Sequence, residues 1–129
     1  MKTLKQLIKQ LKFNYVNDSI NESNFPETTR GKVTKIFRFE NSFTRDEAIK
    51  RLDEEGYRPA NPYELLEWAK KNWNGKDYIL ALEQTYLDAD GDADVIYLWC
   101  DSGCRKLGLS WASFGWDVGA LVAGVSQVL

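Results

Sequence analysis

Histidine is absent from this chain of 129 residues. Its absence removes the side chain that most often acts as a general base near neutral pH, and also the commonest ligand of transition metals. Only two cysteines are present, too few for the disulfide framework of a small secreted domain. We therefore expect that folding and binding need no metal and no other cofactor.

An excess of positive charge and long hydrophobic runs are also missing. The formal net charge is -2 at pH 7 and the sequence pI is about 5.2, whereas proteins that bind nucleic acid by neutralising phosphates usually carry a basic face. Lysines interrupt the apolar residues of the N-terminal segment. The sequence therefore predicts no nucleic-acid partner, no signal peptide and no membrane-spanning helix.

The chain has enough apolar residues to build one core. Hydrophobic residues make up 43% of the sequence and charged residues 28%, which is typical of a folded domain rather than a disordered segment. We predict a single domain over 1–129 that begins with an N-terminal helix and loop over 1–30. The helix is indicated by four apolar residues at helical spacing: Leu4, Leu7, Ile8 and Leu11.

Two further helices are predicted from their N-terminal signals. Thr44 and Asn61 are N-cap residues. Each is followed three positions later by a glutamate, Glu47 or Glu64, which completes a capping box. Pro62 occupies the first helical position of the second of these helices. The predicted helices run over 45–55 and 62–71.

Strands are predicted between and after these helices. A β-prone segment covers 32–39. Two alternating segments over 77–87 and 95–99 form a hairpin across the acidic turn 88–94. From residue 107 onward the chain is poor in charge and punctuated by glycine, and we predict short strands joined by long irregular connections. Helices amid strands place the domain in the α+β class.

The acidic turn and the two cysteines leave alternatives open. Four aspartates between residues 88 and 94 surround a glycine, as at the start of a calcium loop. The later ligands of such a loop are missing, so a solvated hairpin turn is favoured over a calcium site. Cys100 and Cys104 are compatible with two free thiols, a small-loop disulfide or a redox pair. A metal site there is the least favoured, because the chain has no second pair of ligands.

The second half of the chain contains a series of segments whose order and spacing are informative. They are GYRPANPYELL at 56–66, YLW at 97–99, RKLGLSW at 105–111, Trp116 and LVAGV at 121–125. Together they resemble the variable proteins of diversity-generating retroelements, and more narrowly the members from archaeal viruses and candidate phyla. The resemblance covers 32–128 and is carried by the whole set rather than by one motif.

The resemblance implies a C-type lectin fold, in which two helices pack on antiparallel sheets and the C-terminal strand, 121–128, pairs near 32–39. It also implies a binding protein rather than an enzyme. In that family a reverse-transcriptase system rewrites ligand-binding residues on a fixed scaffold, and rewriting never produces Trp, Met, Lys, Glu or Gln. The unknown target would be a protein or a cell-surface molecule. The protein itself would be associated with the virion or located in the cytoplasm.

The resemblance places the binding region at 99–120. Three parts of it match the rewritten ones, and we call them the first (100–104), second (112–115) and third (117–120) stretch. The expected ligand-binding residues are Cys100, Asp101, Ser102, Gly103, Cys104, Ser110, Ala112, Ser113, Phe114, Gly115, Asp117, Val118, Gly119 and Ala120. Trp111 and Trp116 would be fixed scaffold residues beneath these loops.

Two alternative functions are compatible with the same broad fold. The formylglycine-generating oxidases use a close cysteine pair, which Cys100 and Cys104 would supply, but the basic and aromatic motif around their cysteines is missing here. A calcium-dependent sugar lectin would need acidic and amide ligands in the binding loops. Within 99–120 this chain has only Asp101 and Asp117 of those types.

Overall fold

The three-dimensional structure is a computed structural model that describes residues 1–127. Within these residues the chain forms three helices and seven strands, and all the strands belong to one sheet. The predicted α+β class is therefore confirmed. The helices are α1 (Leu4–Leu11), α2 (Arg45–Glu54) and α3 (Pro62–Asn72). The strands are β1 (Tyr15–Val16), β2 (Val33–Phe37), β3 (Tyr57–Pro59), β4 (Tyr78–Leu87), β5 (Ala93–Asp101), β6 (Cys104–Trp111) and β7 (Ala120–Ser126).

The sheet is mostly antiparallel, and its C-terminal strand lies inside it. The strand order is β1-β6-β5-β4-β7-β2, and β3 also pairs with β7. Among the described strands, β1–β6 and β4–β7 are the parallel pairs. Ile36 of β2 lies opposite Ala123 of β7 in an antiparallel pairing, so the terminal strand pairs where the resemblance implies. Val128, the last residue expected in that strand, lies outside the described residues.

Each helix begins at a capping box. In α2 the Thr44 side chain accepts a hydrogen bond from the backbone N–H of Glu47, and the Glu47 side chain accepts one from the Thr44 N–H. Asn61 and Glu64 form the same arrangement at the start of α3. Such bonds satisfy N–H groups that have no partner within the helix, and a cap contributes about 1 kcal/mol. Both helix starts predicted from these residues are confirmed.

Two hydrophobic cores lie on opposite faces of the sheet. On the first face, Leu65 of α3 packs with Ile96 and Leu98 of β5, and α1 adds its apolar stripe. On the second face, Leu52 of α2 packs in a core that includes Val95 of β5. Neighbouring residues of β5 thus contribute to different cores, because successive side chains of a strand point to opposite faces.

A buried carboxylate ties α3 to the loop before β2 and to β3. The Glu64 side chain accepts hydrogen bonds from the backbone N–H groups of Gly31 at 2.6 Å and Asn61 at 3.0 Å. The Arg58 guanidinium donates to both Glu64 oxygens, at 2.7 and 3.0 Å. Arg58 also lies 3.1 Å from Glu83. Hydrogen bonding to Glu64 raises the pKa of Arg58, so the Arg58 guanidinium stays charged at every physiological pH.

Two expectations about the chain between the helices and strands differ from the structure. The segment 14–30, expected to be a loop, contains β1, whose Tyr15 pairs in parallel with Lys106 of β6. The C-terminal third was expected to have short strands and long connections; the irregular connection 112–119 between β6 and β7 agrees with this, but β6 has eight residues and follows β5 after a two-residue turn. Ser102 and Gly103 form that turn with φ of 51° and 83°, the left-handed geometry of tight hairpins. Continuous backbone pairing with β5 stabilises β6 although its own hydrophobic alternation is weak.

Candidate ligand-binding site

The β5–β6 hairpin separates the first stretch from the start of the second. Asp101 pairs with Cys104 beside the turn, whereas Asp94 pairs with Trp111 at the other end of the hairpin. Residues 94 and 101 are seven steps apart, and a step along a strand is about 3.4 Å, so these ends are separated by about 24 Å. The first and second stretches therefore do not form one compact site.

The third stretch returns to the region of the first. After Trp116, whose backbone pairs with that of Phe43, the chain reaches Ala120, which pairs with Tyr78 of β4. The ring of Tyr78 contacts the ring of Trp99, with 5.5 Å between the centroids. Trp99 immediately precedes the first stretch in the sequence. The first and third stretches thus flank the same part of the sheet.

Aromatic side chains cover the sheet between these two stretches. Directly paired residues share a face and alternate residues share a face, so Tyr97, Trp99 and Lys106 lie together on the second face. Tyr78 joins them because its ring stacks on that of Tyr97, with centroids 4.9 Å apart. Tyr15 joins them through its pairing with Lys106. We call these five residues the aromatic platform.

The platform is partly open to solvent: Tyr15 is exposed, the other four residues are half-buried, and Tyr78 and Tyr97 also pack against the second-face core. Gly108 allows the Tyr97 ring to lie against β6, because a Cβ atom at this position would come within 2.4 Å of the ring. Trp99 and Tyr15 belong to neither hydrophobic core, and Tyr15 is 46% exposed. The helices pack elsewhere, α2 against β3, and α3 against α1, β2 and β4. Sequence reasoning missed the platform; the available signal was Gly108, since an isolated glycine within a strand indicates close approach by another group.

Lys106 is the one charged residue of the platform, and Asp101 of the first stretch offsets its charge. Lys106 Nζ lies 3.5 Å from Asp101 Oδ2 and 5.7 Å from the centroid of the Trp99 ring. Burial raises the pKa of Tyr97, and the nearby Lys106 ammonium only partly opposes this. Burial likewise raises the pKa of Tyr78, opposed in part by hydrogen bonds to neighbouring side chains. Both phenols stay protonated at neutral pH, so the surface offers aromatic faces and hydroxyl groups rather than net charge.

Most of the expected ligand-binding residues are accessible. The exposed ones are Ser102, Gly103, Ser113, Phe114, Asp117, Val118 and Gly119. The half-buried ones are Cys100, Asp101, Cys104, Ser110, Ala112 and Gly115. Phe114 is 79% exposed, and its ring lies 5.6 Å from that of Trp111, at the end of the hairpin far from the platform. It also lines an open cleft of about 410 Å³ beside the start of α2.

Two residues of the expected set do not fit the role of freely variable positions. Ala120 is buried in the second-face core. Gly115 has a φ of 69°, and a Cβ atom there would lie 2.4 Å from the backbone carbonyl oxygen of Phe43, so a side chain would strain the backbone and collide with it. Both residues are small, as exposed loop residues often are, and their sequence does not distinguish the two roles.

The two tryptophans expected as scaffold differ in environment. Trp116 is 9% exposed, its Nε1 donates a hydrogen bond to Ser110 Oγ at 2.9 Å, and its ring lies 5.7 Å from that of Phe43. Trp111 is 54% exposed and belongs to neither hydrophobic core. The expectation that Trp111 is a buried anchor is therefore wrong: Trp111 is the last residue of β6, at the end of the hairpin.

Cys100 and Cys104 are free thiols on opposite faces of the hairpin. Cys100 pairs with Arg105, whereas Cys104 pairs with Asp101, so alternation directs the two Sγ atoms to opposite sides of the sheet. A disulfide needs Cβ atoms about 3.8 Å apart that point toward each other. This geometry supports neither a disulfide nor a redox pair.

The acidic turn contains two interacting carboxyl groups. Asp88 Oδ1 accepts hydrogen bonds from the backbone N–H groups of Asp90 at 2.9 Å and Asp92 at 3.1 Å. Asp94 is buried, and its Oδ1 has no hydrogen-bond partner among the described residues. Burial, and next the Asp88 side chain, raise the pKa of Asp94 to about 6. Within residues 1–127, no group of three or more cysteine or acidic side chains is placed to hold a metal ion.

The free energy of unfolding is expected to fall as the pH rises from about 4 to about 7. The folded state holds the Asp94 proton more tightly than the unfolded chain, whose aspartates titrate near 3.9, and this stabilisation is lost as the pH passes through a folded pKa of about 6. Asp94→Asn should remove most of the slope and stabilise the protein by about 1–3 kcal/mol at neutral pH. Urea unfolding across this range measures both effects. The exposed Asp90→Asn is the control, and an unchanged slope in Asp94→Asn would contradict the assignment.

Comparisons with known proteins add no relative. No protein-family model matches the chain, and neither the curated proteins nor the solved structures contain a match. In the part of the chain that the structure describes, every helix is too short or too polar to cross a membrane. Function is therefore inferred from the platform and the residues around it.

Proposed function

We propose that this protein is a ligand-binding protein with a C-type lectin fold, and not an enzyme. Its target binds on the aromatic platform, between the first and third stretches. The protein is a variable protein of a diversity-generating retroelement, in which exposed residues of these stretches change while the cores and the platform stay fixed. The observation that carries the proposal is the juxtaposition of a partly exposed aromatic surface with accessible residues of two separate stretches.

The residues that flank the platform are suited to variation. Asp101 and Ser102 lie at the hairpin turn, and Asp117 and Val118 lie in the connection that leads to β7. The hairpin is held by continuous backbone pairing between β5 and β6, so a side-chain change at its turn does not have to move the sheet. Substitutions at exposed positions usually change stability by less than about 0.5 kcal/mol. The surface can therefore change chemically while the fold is kept.

The residues of the platform are suited to remain constant when the stretches change. All five of its residues lie outside the three stretches. Trp99 and Lys106 are also of types that retroelement rewriting never produces. Tyr97 depends on Gly108 for the space its ring occupies. A receptor that binds many targets requires a constant part, here the platform, and variable residues around it, here the first and third stretches.

The DNA next to the gene tests the proposal. We expect it to encode a reverse transcriptase and to contain a near-copy of the 3′ part of the gene that differs from it at adenines. The differences should fall in codons such as those of Asp101, Ser102 and Asp117. The codons of Trp99 and Lys106 are matched controls within the same segment and should be identical in both copies. The absence of a reverse transcriptase and of a template copy would contradict the proposal, as would differences concentrated in the control codons.

A further inference from the structure

We infer that the aromatic platform is a constant docking surface for a folded protein. It supplies binding energy that is common to different ligands, while the flanking residues decide which ligand binds. This inference rests on the proposed function and names the chemical class of its target.

The extent of the platform fits a protein surface better than a small molecule. Its residues lie side by side on neighbouring strands, in a row from Tyr78 through Trp99 and Lys106 to Tyr15. Four strands at a spacing of about 4.8 Å give a row about 14 Å long. Small-molecule sites are concave and enclose most of the ligand, whereas this face is an open sheet. A standard protein interface covers about 800 Å² per partner, so a protein ligand that contacts this row also contacts the first and third stretches beside it.

The composition and charge of the platform also favour a protein. Tyrosine and tryptophan are enriched at the centres of protein interfaces, and their loss often weakens binding most. Lys106 is the one charged residue of the platform and lies 3.5 Å from Asp101; a single lysine is not the cationic excess that holds nucleic-acid phosphates or an anionic membrane. The tyrosine hydroxyls can bond to polar groups at the edge of an apolar contact. The partner that fits is a folded protein with an uncharged, largely apolar patch.

The platform is built without the residues that flank it. Gly108 lies beneath the Tyr97 ring, and Tyr78 stacks beside it. Trp99 rests against the edge of the Tyr78 ring, and Tyr15 is positioned by the pairing of β1 with β6. None of these contacts uses a residue of the first or third stretch. A change of flanking residues therefore leaves these aromatic contacts in place, and among the platform residues it alters the side-chain partner of Lys106, which is Asp101.

A display library of the full chain tests this inference. Clones are selected separately against lysozyme, serum albumin and streptavidin, which are three unrelated folded proteins. One selected clone for each protein then receives Trp99→Ala, and its Kd is measured by surface plasmon resonance. Trp111→Ala is the matched control, because it removes an exposed tryptophan from the far end of the same hairpin. The randomised positions are Asp101, Ser102, Asp117 and Val118.

We expect Trp99→Ala to raise the Kd at least about tenfold for all three proteins, and Trp111→Ala to change it less than about twofold. Tyr15→Ala is a second platform variant, because Tyr15 is half-exposed on an edge strand and lies outside both cores. If a thermal melt shows that Trp99→Ala is unfolded, the Kd of Tyr15→Ala is used in its place. A Kd unchanged in both platform variants, or raised for one ligand only, would overturn the inference and leave the proposed function standing. A folded library that yields no binder to any of the three would overturn both.

Discussion

Replacing Glu64 with alanine is expected to lower the free energy of unfolding by about 3–5 kcal/mol. The Glu64 side chain is 0% exposed and lies 2.7 Å from Arg58. Its removal leaves the Arg58 charge without its closest partner and takes an acceptor from the backbone N–H groups of Gly31 and Asn61. Buried polar groups that lose their partners cost more than the bond itself contributes. Urea unfolding followed by tryptophan fluorescence measures the loss.

Glu67→Ala is the matched control for this effect. Glu67 lies one turn further along α3, 3.7 Å from Arg30, with its side chain 39% exposed. An exposed pair of this kind contributes less than about 1 kcal/mol. Glu64→Gln keeps the size of the side chain but removes its charge, so its loss should be intermediate. A Glu64→Ala loss no larger than that of Glu67→Ala would show that the buried pair does not stabilise the fold.

The same glutamate shows how far the sequence could predict the fold. The capping boxes at Thr44 and Asn61 were predictable because all their partners lie within four residues along the chain. The bonds from Glu64 to Arg58 and Gly31 were not, because the chain brings those residues together only when β3, α3 and the preceding loop pack. Local signals predict where helices begin, whereas the tertiary fold determines which distant residues the capping side chains also bond to.

The candidate site was predictable in part for a similar reason. Tyr97 and Trp99 lie in a predicted strand, and alternation alone places them on one face. The position of Tyr15 in the platform could not be predicted from the sequence, because β1 has only two residues and lies in a polar segment. The residue before Tyr15, Asn14, bonds to Arg105, which is 91 positions away. The three stretches came from the resemblance. The pairing of β7 with β4 and the contact of Tyr78 with Trp99 show that the first and third are neighbours, and the register of the hairpin shows that the second lies apart.

The two tryptophans of the C-terminal third illustrate the limit of composition. Trp111 and Trp116 both adjoin small or polar residues and carry no local sign of which is buried. Their difference comes from the path of the chain after β6. The backbone pairing of Trp116 with Phe43 turns that part of the loop onto the second-face core, whereas Trp111 remains at the end of its strand. Burial at such positions is a tertiary property, and mutation measures it directly.

Trp116→Ala is expected to lower the free energy of unfolding by about 3–5 kcal/mol, the usual cost of removing a large buried aromatic side chain. The change removes the ring contact with Phe43 and leaves Ser110 Oγ without the indole donor. Phe114→Ala and Trp111→Ala remove rings from the same segment that are 79% and 54% exposed, so each should cost less than about 1 kcal/mol. Urea unfolding of the three variants side by side measures the difference. Equal losses at Phe114 and Trp116 would show that Phe114 belongs to the core, and the division between fixed scaffold and variable surface would then fail at that position.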